Sequence, residues 1–97
     1  MSALTHVYGV VSKGSVVPNT STSVLAANSN RNFLLIQNSD SALIIGVRLD
    51  GGVAVLNAQG TITLAPGATM LFDVAVPMGA ITAISGGAGA QLTIYEG

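Results

Sequence analysis

The chain has no cysteine and no tryptophan, a single histidine, three basic residues and four acidic ones among its 97 residues. Each shortage removes a class of explanation. Without cysteine there is no disulfide framework and no thiolate chemistry. With a net charge of −1 there is no basic footprint for nucleic acid and no polybasic patch for a membrane surface. Apolar runs are short, far below the roughly 20 residues that a spanning helix needs. The opening MSALTHVYGVV lacks both the basic start and the continuous apolar stretch of a secretory signal, so the protein is expected to act where it is made or assembled.

Catalysis finds little to work with. His6 is the only histidine, and an acid–base site needs a positioned histidine or a carboxylate pair. No G-x-S-x-G elbow is present, and no catalytic residue is assigned. The carboxylates Asp40 and Asp50 fall in turns, where Asp is favoured for local hydrogen bonding. There is no calcium loop and no zinc ligand set, so no metal and no cofactor are expected. Gly86-Gly87-Ala88-Gly89 leads into a strand rather than a helix N-terminus, which is a hairpin loop and not a phosphate cradle.

What the chain does have is apolar side chains: 49% of residues are hydrophobic and only 7% are charged, against roughly a quarter charged in an ordinary soluble domain. A folded domain of this size exposes about 5,000 Å². That leaves about one charged group per 700 Å². Two explanations fit together: a surface rich in Ser, Thr, Asn, Gln and Gly, and a surface that is partly covered by other molecules.

Gly and Pro punctuate the chain every eight to twelve residues, and no stretch sustains a helical period. Strands are expected at about 15–18, 22–27, 31–38, 42–48, 53–56, 60–65, 68–76, 80–85 and 90–96. Asp50-Gly51-Gly52 suits a tight turn, and Ala65-Pro66-Gly67 has the order of a type II turn. Ile62 and Leu64 alternate with Thr61 and Thr63, and Leu92 and Ile94 with Gln91, Thr93 and Tyr95, as in half-buried antiparallel strands. In 68–76, Met70, Phe72, Val74 and Val76 oppose Thr69, Leu71, Asp73 and Ala75. The fold class is all-β, a small antiparallel β-sandwich of jelly-roll type over residues 15–97, preceded by an extended N-terminal arm, 1–14.

Residues 31–47 read as a hairpin turning at Asn38–Ser41, apolar on both faces, so one face should pack inside and the other should meet a second molecule. Arg31 and Arg48 would then lie side by side at its open end. Their acceptors are either the chain's own Asp50, Asp73 and Glu96 or a partner's carboxylates, and the partner is preferred. The arm carries Leu4, Val7, Tyr8, Val10 and Val11, apolar residues with no register in the sandwich, which suggests that it lies against a neighbouring subunit. Subunit or capsid contacts are accordingly assigned to Leu4, Val7, Tyr8, Val10, Arg31 and Arg48.

The segments RNFLLIQN, GTITLAPGATMLFD, VPMGAITAIS and AQLTIYEG resemble a type of small structural protein of tailed bacteriophages. The matching positions are Arg31, Leu34, Ile36, Gln37, Asn38, Leu64, Pro66, Gly67, Pro77, Gly79, Ala80, Ile81 and Glu96, so the resemblance covers about 31–97 and leaves out the arm. It implies a virion component made in the host cytoplasm, of the capsid decoration or cement type. Its partners would be the major capsid protein and copies of itself, as a homo-oligomer on the capsid exterior. Alternatives are a head–tail connector or tail accessory component, and a small carbohydrate-binding β-sandwich.

Overall fold

The structure, a computed structural model, describes residues 10–97. Nine strands are present among them: β1 (Val11–Ser12), β2 (Ser15–Val17), β3 (Thr22–Leu25), β4 (Leu34–Asn38), β5 (Ile45–Arg48), β6 (Ile62–Leu64), β7 (Thr69–Phe72), β8 (Ile81–Ser85) and β9 (Ala90–Glu96). They form two antiparallel sheets. In the first, the order is β2–β9–β4–β7, with β1 also on β9; in the second it is β3–β8–β5–β6.

The pairings β2·β9, β3·β8, β4·β7 and β5·β6 nest one inside the next. That is a long hairpin of strand pairs rolled up, closed by β4 against β9 and β5 against β8. The fold is a small β-sandwich of jelly-roll topology.

Rolling explains why 31–47 is not a hairpin. β4 lies in the first sheet and β5 in the second, so the chain crosses between sheets at residues 39–44. Asp40 holds this crossing by accepting from the backbone N–H of Ala42 and of Leu43, at 3.0 and 2.8 Å. Both strands are apolar because both are central: β4 lies between β9 and β7, and β5 between β8 and β6.

Alternation then decides what enters the core. Leu34 and Ile36 of β4, Ile45 and Val47 of β5, Ile81 and Ala83 of β8, and Leu92 and Ile94 of β9 meet between the sheets with Val17, Leu25 and Leu64. Each fully buried Leu, Ile or Val of this set contributes about 1.5–3 kcal/mol. The turn before β7 forms as its residues dictate. The Ala68 N–H donates to Ala65 O at 2.9 Å, with Pro66 and Gly67 at its centre. Gly67 takes φ +84°, which a type II turn demands at that place.

Three sequence expectations change here. The strand expected over 68–76 ends at Phe72, and Val74 is exposed instead of continuing the row of Met70 and Phe72. Residues 53–56 are not a strand but part of the 49–61 connection, which lies across the outer face of the second sheet. Gly46 of β5 makes the room: a Cβ there would stand 2.7 Å from Thr61 Cγ2 and 3.1 Å from Leu56 Cδ2. The sandwich also takes in the end of the proposed arm, since Val11 pairs with Glu96 and Ser12 with Tyr95. Leu4, Val7 and Tyr8 lie outside the described residues.

Candidate functional site

Three places bring polar or exposed apolar groups together. The first closes one end of the sandwich. Arg31 precedes β4 and is 2% exposed. Its Nε donates to Glu96 Oε2 at 2.7 Å, and Nη2 to Ala26 O at 2.7 Å. Nη1 donates to Pro77 O at 2.5 Å and Gly79 O at 3.1 Å. The planar guanidinium thus ties the β3–β4 and β7–β8 connections to the last residue of β9. Asn28 Nδ2 also donates to Glu96 Oε2 at 3.2 Å, and Lys13 Nζ stands 3.6 Å from Oε1. Burial pushes the Glu96 carboxyl up, but the bonds from Arg31 and Asn28 and the nearby positive charges outweigh it and hold it below the usual range.

Arg31 and Arg48 do lie towards the same end of the sandwich, since Arg48 pairs with Thr82 and Arg31 bonds Gly79 O just before that strand, but the expectation that Arg31 reaches a partner does not hold. Its acceptors are all within its own chain. Arg48 is on the outer side of β5, where Nε donates to Asp50 Oδ1 at 2.6 Å and Nη2 to Asp50 Oδ2 at 3.0 Å. The bond from Arg48, with that from the Gly52 N–H, lowers the Asp50 carboxyl to about 2. The Arg48 guanidinium also packs on the Gly52 and Gly60 backbones, where a Cβ would approach to 2.6 and 3.1 Å. It is the latch of the 49–61 connection. Val10 packs on the backbone of Gly97.

The second place is the opposite end of β4. Asn38 is fully buried; its Nδ2 donates to Leu43 O at 2.8 Å and Leu64 O at 2.9 Å. One amide therefore bridges the two sheets. Among the described residues no buried side-chain polar atom lacks a partner, and no three His, Cys, Asp or Glu gather as a metal site would require.

The third place is the outer face of the first sheet. Leu35 of β4 stands directly opposite Leu71 of β7 on one side and Tyr95 of β9 on the other. Leu71 is 56% exposed and Tyr95 41%. Alternation puts Ser12, Val16, Gln37, Thr69, Gln91 and Thr93 on the same face. No charged side chain lies among these strand positions. The two outer faces thus differ: the chain's own 49–61 connection lies over one, and among the described residues no such connection covers the other. Sequence reasoning missed this row, although the signal was there. Leu71 is the one large apolar residue in the row Thr69, Leu71, Asp73 and Ala75, and Tyr95 the one aromatic residue in the row Gln91, Thr93 and Tyr95.

No family model matches the chain, and no curated protein matches it. Among solved structures the chain is similar to one described as "Bacillus endospore appendages form a novel family of disulfide-linked pili". The two are 21% identical with a TM-score of 0.47, over 89% of this chain and 78% of that one.

Proposed function

We propose that this chain is a non-enzymatic structural subunit of a virus particle, a decoration protein that binds the outer surface of a bacteriophage capsid and reinforces it. The observation that carries this reading is the uncharged outer face of the first sheet, with Leu35, Leu71 and Tyr95 at its centre. An apolar centre rimmed by Ser, Thr and Gln is the composition of a contact that excludes water without burying an unpaired charge. The low charge of the whole chain and the phage-like pattern over 31–97 support the same reading. The occupant of the face is the shell itself, the major capsid protein.

The test is co-sedimentation of the purified chain with capsids stripped of it, comparing wild type with Tyr95→Lys. Tyr95 points away from the core, so this change spares the fold. The reading expects the wild type to pellet with the shells and the variant to stay in solution. Equal binding by both, or by neither, removes the face from the account.

A further inference from the structure

We infer that β7 is a pairing edge for a second copy of this chain, and that two copies join β7 to β7 about a two-fold axis with Leu71 opposite Leu71. The inference deepens the reading above by naming the contact between copies.

An open strand edge is an invitation to pair, and proteins defend edges with breaks, bulges, charges or shortness. Three of the four edges here are defended. The β1/β2 edge is interrupted at Lys13-Gly14 and carries the lysine. β3 has a register shift between Ser23 and Leu25. β6 is three residues long and is followed by Pro66 two positions on. β7 has none of these devices: Thr69, Met70, Leu71 and Phe72 pair with β4 in unbroken register, with no charge, Pro or Gly among them.

The hydrogen-bond phase identifies which groups are free. The Phe33 and Gly97 backbones exchange N–H···O bonds, and the Ser39 N–H donates to Gln91 O. Odd-numbered residues of β4 therefore turn their backbone towards β9. The Asn38 N–H donates to Ala68 O, so even-numbered ones turn towards β7. Leu71 and Thr69 stand opposite Leu35 and Gln37, so they form the pairs without mutual hydrogen bonds. Their own N–H and C=O groups consequently face the open edge.

A two-fold axis perpendicular to the sheet keeps both cores on one side only if residue numbers of opposed pairs sum to an even number. Leu71 on Leu71 satisfies this, and each copy then gives one N–H and takes one. The apolar row runs on as Tyr95, Leu35, Leu71 and the same three residues in reverse. Charge permits the contact as well. Asp73 falls opposite Thr69 of the second copy, and the two Asp73 groups are about 14 Å apart along the strands, beyond the screening length of about 8 Å at physiological salt. Neither β7 nor its neighbour β4 contains a charged residue.

Because the chain contains no cysteine, a single introduced thiol reports the register. Opposed Cα atoms in a hydrogen-bonded pair are about 5.5 Å apart, within disulfide reach, whereas Thr69 of one copy is about 14 Å from Thr69 of the other. Leu71→Cys is therefore expected to give a covalent dimer under mild oxidation or with a short bis-thiol cross-linker, and Thr69→Cys is not. Sedimentation of the full chain at micromolar concentration is expected to show dimer, and Leu71→Lys to weaken it by about tenfold or more. An unchanged circular dichroism spectrum checks that the variant folds. A monomeric wild type, equal cross-linking at both positions, or a dimer that survives Leu71→Lys overturns the proposal. So does a dimer abolished by deleting residues 1–9 but untouched by Leu71→Lys, which would assign the edge to the N-terminal segment. Shell binding is read separately, so a failed dimer leaves the decoration reading standing and a failed decoration leaves the dimer.

Discussion

Arg31 Nε lies 2.7 Å from Glu96 Oε2, and the two residues are 65 positions apart in the chain. This pair closes one end of the sandwich as Asn38 closes the other. A buried pair gains little over a well-packed apolar substitute, but removing one partner leaves the other uncompensated. Arg31→Ala strands a carboxylate and three carbonyls, and is expected to cost about 3–5 kcal/mol. Arg31→Lys keeps the charge but loses the planar fork that serves four acceptors, and should recover only part of that. Urea unfolding of both variants, beside Arg48→Ala, which breaks a more exposed pair and is expected to cost less than Arg31→Ala, checks the order.

Asn38 makes a parallel case without charge. Asn38→Leu removes the donors to Leu43 O, in the sheet crossing, and to Leu64 O, on β6 of the second sheet. Each buried acceptor left unmade costs about 1–3 kcal/mol. The expected outcome is a lower urea midpoint with an unchanged slope. An equally stable variant would show that water or rearrangement replaces the amide.

Acidification acts through the carboxylates that the fold holds below their ordinary values. Asp40 is lowered by the backbone N–H groups of Leu43 and Ala42, Asp50 by Arg48, and Glu96 by the Arg31 cluster against the opposing effect of burial. Groups depressed on folding stabilise fully above their unfolded values, 3.8 for Asp and 4.5 for Glu, and lose that contribution as pH falls through the folded ones. Stability should therefore be level near neutrality and decline below about pH 4.5. Urea midpoints measured across pH check this; a midpoint rising from neutrality to pH 4 would contradict it.

Gly46 tests the cover over the second sheet. Gly46→Val drives a side chain into Thr61 and Leu56, and Thr61 cannot simply rotate because its Oγ1 accepts from the Val55 N–H. Overpacking of this kind costs about 1–3 kcal/mol. Amide exchange should quicken in 53–56 while β4 and β9 keep their protection.

The sequence made β9 legible because it has one wet face, with Leu92 and Ile94 buried and Gln91 and Tyr95 exposed; β6 lies where expected, but only Leu64 of its apolar pair is buried, and Ile62 is exposed on this edge strand. The sequence misled at 31–47, where apolar residues on both faces mark central strands but say nothing about which sheet each joins. An Asn-Ser-Asp-Ser stretch serves a hairpin or a sheet crossing equally well. It misled at 53–56 because Val53, Ala54, Val55 and Leu56 look like a strand, whereas Leu56 and the buried Ala54 fasten a covering loop. Arg31 could not be placed from sequence. Its acceptors are carbonyls at Ala26, Pro77 and Gly79, which are invisible as residue types, and only the fold brings them together.

The central claim is that the chain is a stoichiometric part of a particle's outer shell. Quantitative mass spectrometry of purified particles from the source that carries this sequence tests it most directly. The account predicts the chain in fixed ratio to the major capsid protein, and released when the shell is stripped under mild conditions. A copy number far below that of the shell protein, as for a neck or tail component, or absence from the particle, would contradict it.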